Sequence, residues 1–523
     1  MGDNLPPGAN PAVWQRYVTS YQAMPDWAPQ GSIVADTGFR PHPNGFGFFN
    51  TGVPDAVNNA VFGTPLSGPK NLDAEAMRDL MGKRVCLERR AEGPCTLTSA
   101  ARQYMQSTNA DMAGGHCFGF ATTAAALFDR TLRPEQFQSG ITRTYDLSLQ
   151  EPISREIARN MAAQYSMDIA ENYRLKPTQL VKVLKRELRP GAAPYTLFLL
   201  WDGGGHAVTP YALYDRGDGQ YDVGIYDNNY PDAERAIHID TKKDKYQYLV
   251  GTNPNAAPTI ANKVIGLVPV SEIAKRQACP FCPGTNATTV TLTPVKTKVP
   301  ITTRITDLNG KRIKGAKVRR PVDPWQPGQL WQFPTYEIPA KQDFVVTIDA
   351  RKSRKDLRLG VLAATGDFTI GASGATVPAR GVAAAGLDPA KGVVVYTIAK
   401  GKRSSADLGR LAFVQNFPSS SVQVAATPKT GGFLIGRMRQ QQSRVEVFTP
   451  GKQSAKSAVA AQLEFEKGGQ AVQVEAIAKA RIPGAGKLVI DYAKWQPKSQ
   501  QGLRAYVTTA GQRKPVTVRI SAT

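Results

Sequence analysis

The stretch AGGHCFGFATTAAALFDR, residues 113–130, decides how the first half of this chain is read. Two glycines and a histidine lead into Cys117. Phe118, Phe120, Ala121, Ala124, Ala125, Leu127 and Phe128 then cover most of the circumference of a helix, which is the pattern of a helix buried in a core. A thiol at the first turn of such a helix feels the positive end of the helix dipole, which favours the thiolate. Glycines beside it let backbone amides approach a developing oxyanion. Unpaired cysteine is also among the most buried residue types. By itself, then, the stretch fits a structural cysteine as well as a nucleophile, and the rest of the chain has to separate the two.

The other four cysteines fall into local pairs. Cys86 and Cys95 bracket LERRAEGP, a loop that a disulfide can close, and Cys279 and Cys282 form CPFC. That leaves Cys117 as the odd thiol. A zinc reading of CPFC lacks a second ligand pair, and a redox reading lacks the strand-before, helix-after setting. Two disulfides imply an oxidising compartment, so a secreted or cell-surface protein is expected, although MGDNLPPGANPAVWQ has no signal-peptide pattern. The alternative is a cytosolic effector, which requires these cysteines to be reduced. No apolar run reaches the length of a transmembrane segment, and no cofactor motif is present.

A base and an acid come from two glycine- and asparagine-punctuated strands. WDGGGHAVTPYALYD delivers His206 to the start of an apolar strand, and YDVGIYDNNYP ends a strand in Asp227, Asn228 and Asn229. If RGDG (216–219) is a four-residue hairpin loop, Asp215 pairs with Gln220 and His206 falls opposite Asn229. Asp227 and Asn229 then share the His206 face, with Asp227 on the diagonal. A carboxylate there fixes the imidazole tautomer and stabilises imidazolium. A one-residue change of register substitutes Asn228, and Asn229 is the other alternative orienting residue. His116 adjoins Cys117 but cannot face it along a helix, so it is a cleft-lining candidate. His238, in AIHID, reads as structural.

Around this core the chain changes texture twice. Residues 1–70 are rich in Pro, Gly and Asn and read as an irregular N-terminal extension anchored by aromatics. From residue 71 helices dominate: NLDAEAMRDLMG with an Asn cap, the Cys117 helix, ISREIARNMAAQYSMDIAENYR, and KPTQLVKVLKREL with Pro in its first turn. Strands follow to about residue 275. Beyond CPFC the pattern is short strands with regular turn signals, as in β-sandwich modules, divided at 284–350 and 351–523. The charge divides at the same place. Residues 1–283 hold 28 Lys+Arg against 28 Asp+Glu, while 284–523 hold 37 against 14, the whole excess of +23. Such a field attracts anionic surfaces, among them cell-envelope polymers. No RNA-binding aromatic signature or helix-turn-helix cue accompanies it, so sequence-specific nucleic-acid reading is not expected.

GGHCFGFA, GGGHAVTPYALYD about ninety residues on, and IYDNNYP some twenty later together resemble the papain-like cysteine peptidase superfamily. The closest likeness is to bacterial branches with Cys-His-Asp order, such as the bacteriocin-leader-processing peptidases. The resemblance covers about residues 71–275. It implies an α+β fold in which helices with a buried cysteine helix precede an antiparallel sheet, making 71–283 a papain-like catalytic domain. It also implies Cys117 as nucleophile, His206 as base and then acid, and Asp227 as orienting residue. The family usually places a Gln a few residues before the cysteine as oxyanion donor. Here Asp111 stands six before, so Asn109, Gln106 or Gln103 takes that role, with Asn109 and the Cys117 amide preferred.

The expected function is a thiol hydrolase cleaving a peptide or isopeptide bond through a Cys117 acyl-enzyme, with the basic β region docking on an anionic surface. Two alternatives stand beside it. One is a transglutaminase-like acyl transferase, which uses the same residue order. The other is a non-catalytic envelope-binding protein with a vestigial peptidase core.

Overall fold

The computed structural model describes most of residues 27–50, 71–249, 259–319 and 335–522, with short gaps that include 103, 106–107, 110–111 and 202–203. The chain divides into two compact units. Met1–Gly82, Tyr104–Cys279 and Val322–Leu330 make the first, and Lys83–Gln103, Pro280–Pro321 and Trp331–Thr523 the second.

The first unit is α+β. Its longer helices are α1 (Ala74–Met81), α2 (Cys117–Phe128), α3 (Ile153–Ser166) and α4 (Pro177–Glu187). The cap of α1 is Asp73, not Asn71: the Asp73 carboxylate accepts from the Ala76 amide at 2.8 Å, while the Asn71 side chain is engaged elsewhere. The run expected to continue to residue 174 breaks at Met167, whose backbone is extended. α2 is buried from Cys117 through Leu127, as its all-round apolarity requires. Gly119 allows its close crossing of α3, since a Cβ there would lie 2.0 Å from the Ile157 carbonyl oxygen. Thr209 Oγ1 donates to the Ala121 carbonyl at 2.9 Å and fixes the helix to the sheet beneath.

That sheet is antiparallel throughout and has nine strands among the described residues: β1 (Ser32–Asp36), β2 (Arg174–Leu175), β3 (Tyr195–Trp201), β4 (Gly204–Gly217), β5 (Gln220–Tyr226), β6 (Glu234–Asp240), β7 (Lys245–Leu249), β8 (Thr259–Ala261) and β9 (Val264–Pro269). They run in the order β2-β9-β3-β4-β5-β6-β7-β8, with β1 on β4. The fourteen-residue β4 pairs first with β3, through Gly204–Val208, and then with β5 and β1. The β4–β5 hairpin differs from the expected one. Its turn is the dipeptide Asp218-Gly219, with φ of 53° and 78°, the positive pair that a two-residue hairpin turn favours. Asp215 pairs with Tyr221, not Gln220, and two register shifts along β4 then bring Thr209 opposite Tyr226. That final pairing is the one the four-residue loop implied, reached by a tighter turn and bulges.

The N-terminal extension is less irregular than its composition suggests. SIVAD forms β1, and Phe39, Phe46 and Phe48 are buried against Phe120, Leu127, Tyr211 and Tyr226. Five strand residues among so many prolines and glycines are too short a run to stand out.

The second unit contains two antiparallel sheets, of ten and nine strands among the described residues. One core takes side chains from both, including Val346 and Ala385 from one and Ile370 and Phe413 from the other. Both sheets run across residue 350: Ala287–Thr293 pairs with Leu357–Thr365, and Phe344–Asp349 with Val382–Asp388. A module boundary near 350 is therefore replaced by a division into sheets, because the strands pair across it. Cys86 and Cys95 form a disulfide, Cys279 and Cys282 are also disulfide-bonded, and Cys117 is free. No helix among the described residues is long and apolar enough to cross a membrane.

Candidate active site

The free cysteine, the first histidine of β4 and the acid after β5 meet beneath the N-terminus of α2. His206 Nε2 lies 2.8 Å from Asp227 Oδ1, with both residues buried. The Cys117 side chain also acts on the His206 imidazole and raises its affinity for a proton. Since Nε2 is taken by the carboxylate, Nδ1 is the ring nitrogen left for the thiol. Strand alternation and the register ending at Thr209–Tyr226 together bring these groups to one face.

Asp227 is held on both oxygens. Oδ1 also accepts from the Asn229 amide at 3.1 Å, while Oδ2 accepts from Tyr248 Oη at 2.5 Å and faces Arg235 Nε at 3.4 Å. The Tyr248 ring lies nearly parallel to His206, 18° between planes and 6.1 Å between centroids. Burial opposes charge on both members of the pair, but their partners outweigh it. The Asp227 charge and hydrogen bond, with the contact to Cys117, hold His206 above the ordinary imidazole range. His206, Arg235 and Tyr248 hold Asp227 below the ordinary carboxylate range. The proton therefore resides on the imidazole, and the carboxylate stays charged.

The asparagines nearby bind other groups. Asn228 Nδ2 donates to the Cys117 carbonyl at 3.1 Å and to the Ala207 carbonyl at 2.8 Å, tying α2 directly to the histidine strand. Asn229 Oδ1 accepts from Asn50 Nδ2 at 2.9 Å. Neither side chain is hydrogen-bonded to the imidazole ring among the described residues; Asp227 is. His116 is buried, its Nε2 2.8 Å from Asn71 Oδ1, and so it anchors the turn before α2 instead of lining an open cleft.

The preferred oxyanion side chain is otherwise engaged. Asn109 Oδ1 accepts from the Leu72 amide and its Nδ2 donates to the Leu72 carbonyl, each at 3.0 Å. Gln106, Gln103 and Asp111 lie outside the described residues. The Cys117 amide, at the first position of α2, needs no intrahelical acceptor and remains a donor beside the sulfur.

A cavity of about 480 Å³ opens at the other end of α2, lined by Ala125, Phe128, Arg130, Arg189 and Tyr195 among others. None of Cys117, His206 or Asp227 lines it, so its size says nothing about the chemistry. Close to the thiol, Gly114 is exposed and Asn50 and Asn229 are half-buried, which marks the side from which solvent approaches.

No family model, curated protein or solved structure is similar to this chain.

Sequence reading missed Tyr248, Arg235 and Asn50. Arg235 carried a signal: in ERAIHID it alternates with Ile237 and Ile239 on the inward face, and a cation there has to find a carboxylate. Tyr248 gave none, because an inward tyrosine is ordinary core.

Proposed function

We propose that the first unit is a papain-like thiol hydrolase acting on a peptide or isopeptide bond. The observation that carries this is the hydrogen-bonded His206–Asp227 pair, its imidazole influenced by Cys117 at a helix N-terminus and its carboxylate held charged. In the reaction, the Cys117 thiol passes its proton to His206 Nδ1, the thiolate attacks the carbonyl carbon, and the Cys117 amide donates to the oxyanion that forms. His206 gives the proton on Nδ1 to the leaving nitrogen, the C–N bond breaks, and a thioester remains. Water then attacks the thioester, its proton passes to His206 Nδ1, and the thiolate departs. Asp227 keeps Nε2 protonated and stabilises imidazolium throughout. Two disulfides suit an oxidising, extracellular setting.

The reading is tested by iodoacetamide. Cys117 of the wild type is alkylated readily at pH 6, and His206→Ala slows that reaction strongly; equal rates would remove the catalytic reading and leave a binding protein. Trapping the acyl-enzyme with an added amine, against water alone, separates hydrolysis from acyl transfer.

The second unit supports a docking role. Lys311, Arg312, Lys314 and Lys317 are exposed, and none has a carboxylate partner among the described residues. Leu308 and Val318 beside them are 63% and 54% exposed. The loop is held in shape, since Asp307 Oδ1 accepts from the Asn309 and Lys311 amides at 2.9 and 2.8 Å, and Ile313 is buried in the core. Fixed, unpaired cations suit an anionic polymer surface. Binding of the full chain to polyglutamate should weaken about tenfold when these four residues are changed to Glu, and should fall steeply with salt. Cys117→Ala should bind as the wild type does. Salt-insensitive binding would remove this role.

A further inference from the structure

Asn50 is the last described residue of the N-terminal segment, and its amide and both polar atoms of its side chain reach the two sides of the site. Its backbone amide donates to the Asn228 carbonyl at 2.8 Å, and its Nδ2 donates to Asn229 Oδ1 at 2.9 Å. Its Oδ1 accepts from the His116 amide at 2.6 Å. Asn228 and Asn229 immediately follow the acid Asp227, and His116 immediately precedes the nucleophile.

The nucleophile side needs such a partner. His116 is the N-cap residue of α2, its carbonyl accepting from the Phe120 amide at 2.9 Å, yet its side chain makes no capping bond. The turn before it uses Gly115 at φ 128°, a conformation that favours glycine. A Cβ at Gly115 would also stand 3.1 Å from Asn50 Nδ2. Backbone conformation and space at Gly115 thus both fit the approach of this one amide.

We infer that Asn50 is a positioning residue that sets the Cys117 thiol against the His206–Asp227 pair. The inference rests on the thiol-hydrolase reading. Asn228 ties the Cys117 carbonyl to the strand, but it does not reach the residues that aim the helix terminus; Asn50 does. The consequence for residues 27–50 is that they belong to the catalytic framework. With β1 in the sheet and Phe39, Phe46 and Phe48 in the core, this segment is not an inhibitory piece whose loss would release activity.

The test compares Asn50→Ala, Asn50→Asp and His206→Ala in the full chain, reading the rate of Cys117 alkylation by iodoacetamide from pH 5 to 9. Misplacing a reacting pair by a fraction of an ångström is expected to slow the pH 6 reaction of Asn50→Ala about tenfold while leaving the pH 9 rate within about twofold. Asn50→Asp keeps the acceptor for the His116 amide and loses the donor to Asn229, so its profile falls between. It also carries the test if the alanine variant fails to fold. Asn50 profiles that overlay the wild type while His206→Ala drops would overturn the positioning role and leave the enzyme reading intact, even if both variants melt earlier. A His206→Ala profile that also overlays would overturn both.

Discussion

The first unit carries two histidine–aspartate pairs on neighbouring strands, and only one of them meets a thiol. His206 and Asp227 lie 2.8 Å apart; His238 and Asp222 lie 2.7 Å apart. Both aspartates are fully buried and both face an arginine. The arginines are placed differently. Arg235 approaches Asp227 Oδ2, the oxygen away from the ring, so the carboxylate is steadied without competition for His206. Arg216 Nη1 sits 3.1 Å from Asp222 Oδ1, the same oxygen that His238 uses, and 3.4 Å from His238 Nδ1. His238 is also the more exposed, at 18% against 5% for the side chain, and it lies under Trp27 at 4.7 Å between centroids. Asp222 Oδ2 accepts from the Gln30 amide at 2.9 Å. The second pair therefore fastens the N-terminal segment to the sheet. A carboxylate within reach of an imidazole does not make a site; what occupies the remaining nitrogen and the remaining oxygen does.

The sharpest way to break this contrast is to delete each imidazole in turn. His206→Ala is expected to lower hydrolysis of a susceptible peptide, and alkylation at pH 6, by about 10³-fold. His238→Ala should leave both within about twofold, because no reacting atom touches it. Comparable losses from the two variants would show that the second pair is no mere fastening.

Neutralising the acids comes next and reads stability. Asp227→Asn strands Arg235 as an uncompensated buried cation, a change of about 3–5 kcal/mol. Arg216 is 35% exposed and can turn to solvent, so Asp222→Asn should cost only about 1 kcal/mol. Urea unfolding of the two variants gives the ordering; an Asp222 variant as unstable as the Asp227 variant would contradict the difference between the arginines.

The same contrast explains what could be read beforehand. Cys117, His206 and Asp227 were legible because each stands where a periodic segment begins or ends, so strand alternation limited which side chains could meet. The register at Thr209–Tyr226 was inferred through a loop that does not exist, and it survived because two bulges compensate for the tighter Asp218-Gly219 turn. Local pattern fixes the face of a strand far better than it fixes the turn. Tyr248 and Asn50 were not legible, since they reach Asp227 and α2 from segments 21 and 66 residues away. β1 was hidden by prolines and glycines around it, and the boundary near 350 failed because strand spacing carries no record of which strands pair.

The smallest effect isolates the hold on the carboxylate. The raised His206 contributes stability that is complete below the ordinary imidazole value of about 6.5 and is lost as pH rises through its folded value. The lowered Asp227 contributes stability present above the ordinary value of about 3.9 and lost as pH falls through its folded value. The stability that wild type has over His206→Gln should thus be flat between about pH 4 and 6.5 and decline on either side. Tyr248→Phe removes one hydrogen bond to the charged oxygen and keeps the ring stacked on His206. It should cost about 1.5 kcal/mol at pH 5 and move the acid-side decline to higher pH, because Asp227 is then more easily protonated. The alkaline decline should move to lower pH by less, since Tyr248 acts on His206 only through the carboxylate. An unchanged acid limb in Tyr248→Phe would mean that Arg235 alone keeps Asp227 charged. The carboxylate would then be held by ion pairing in both His–Asp arrangements, leaving the position of the cation and the thiol to distinguish them.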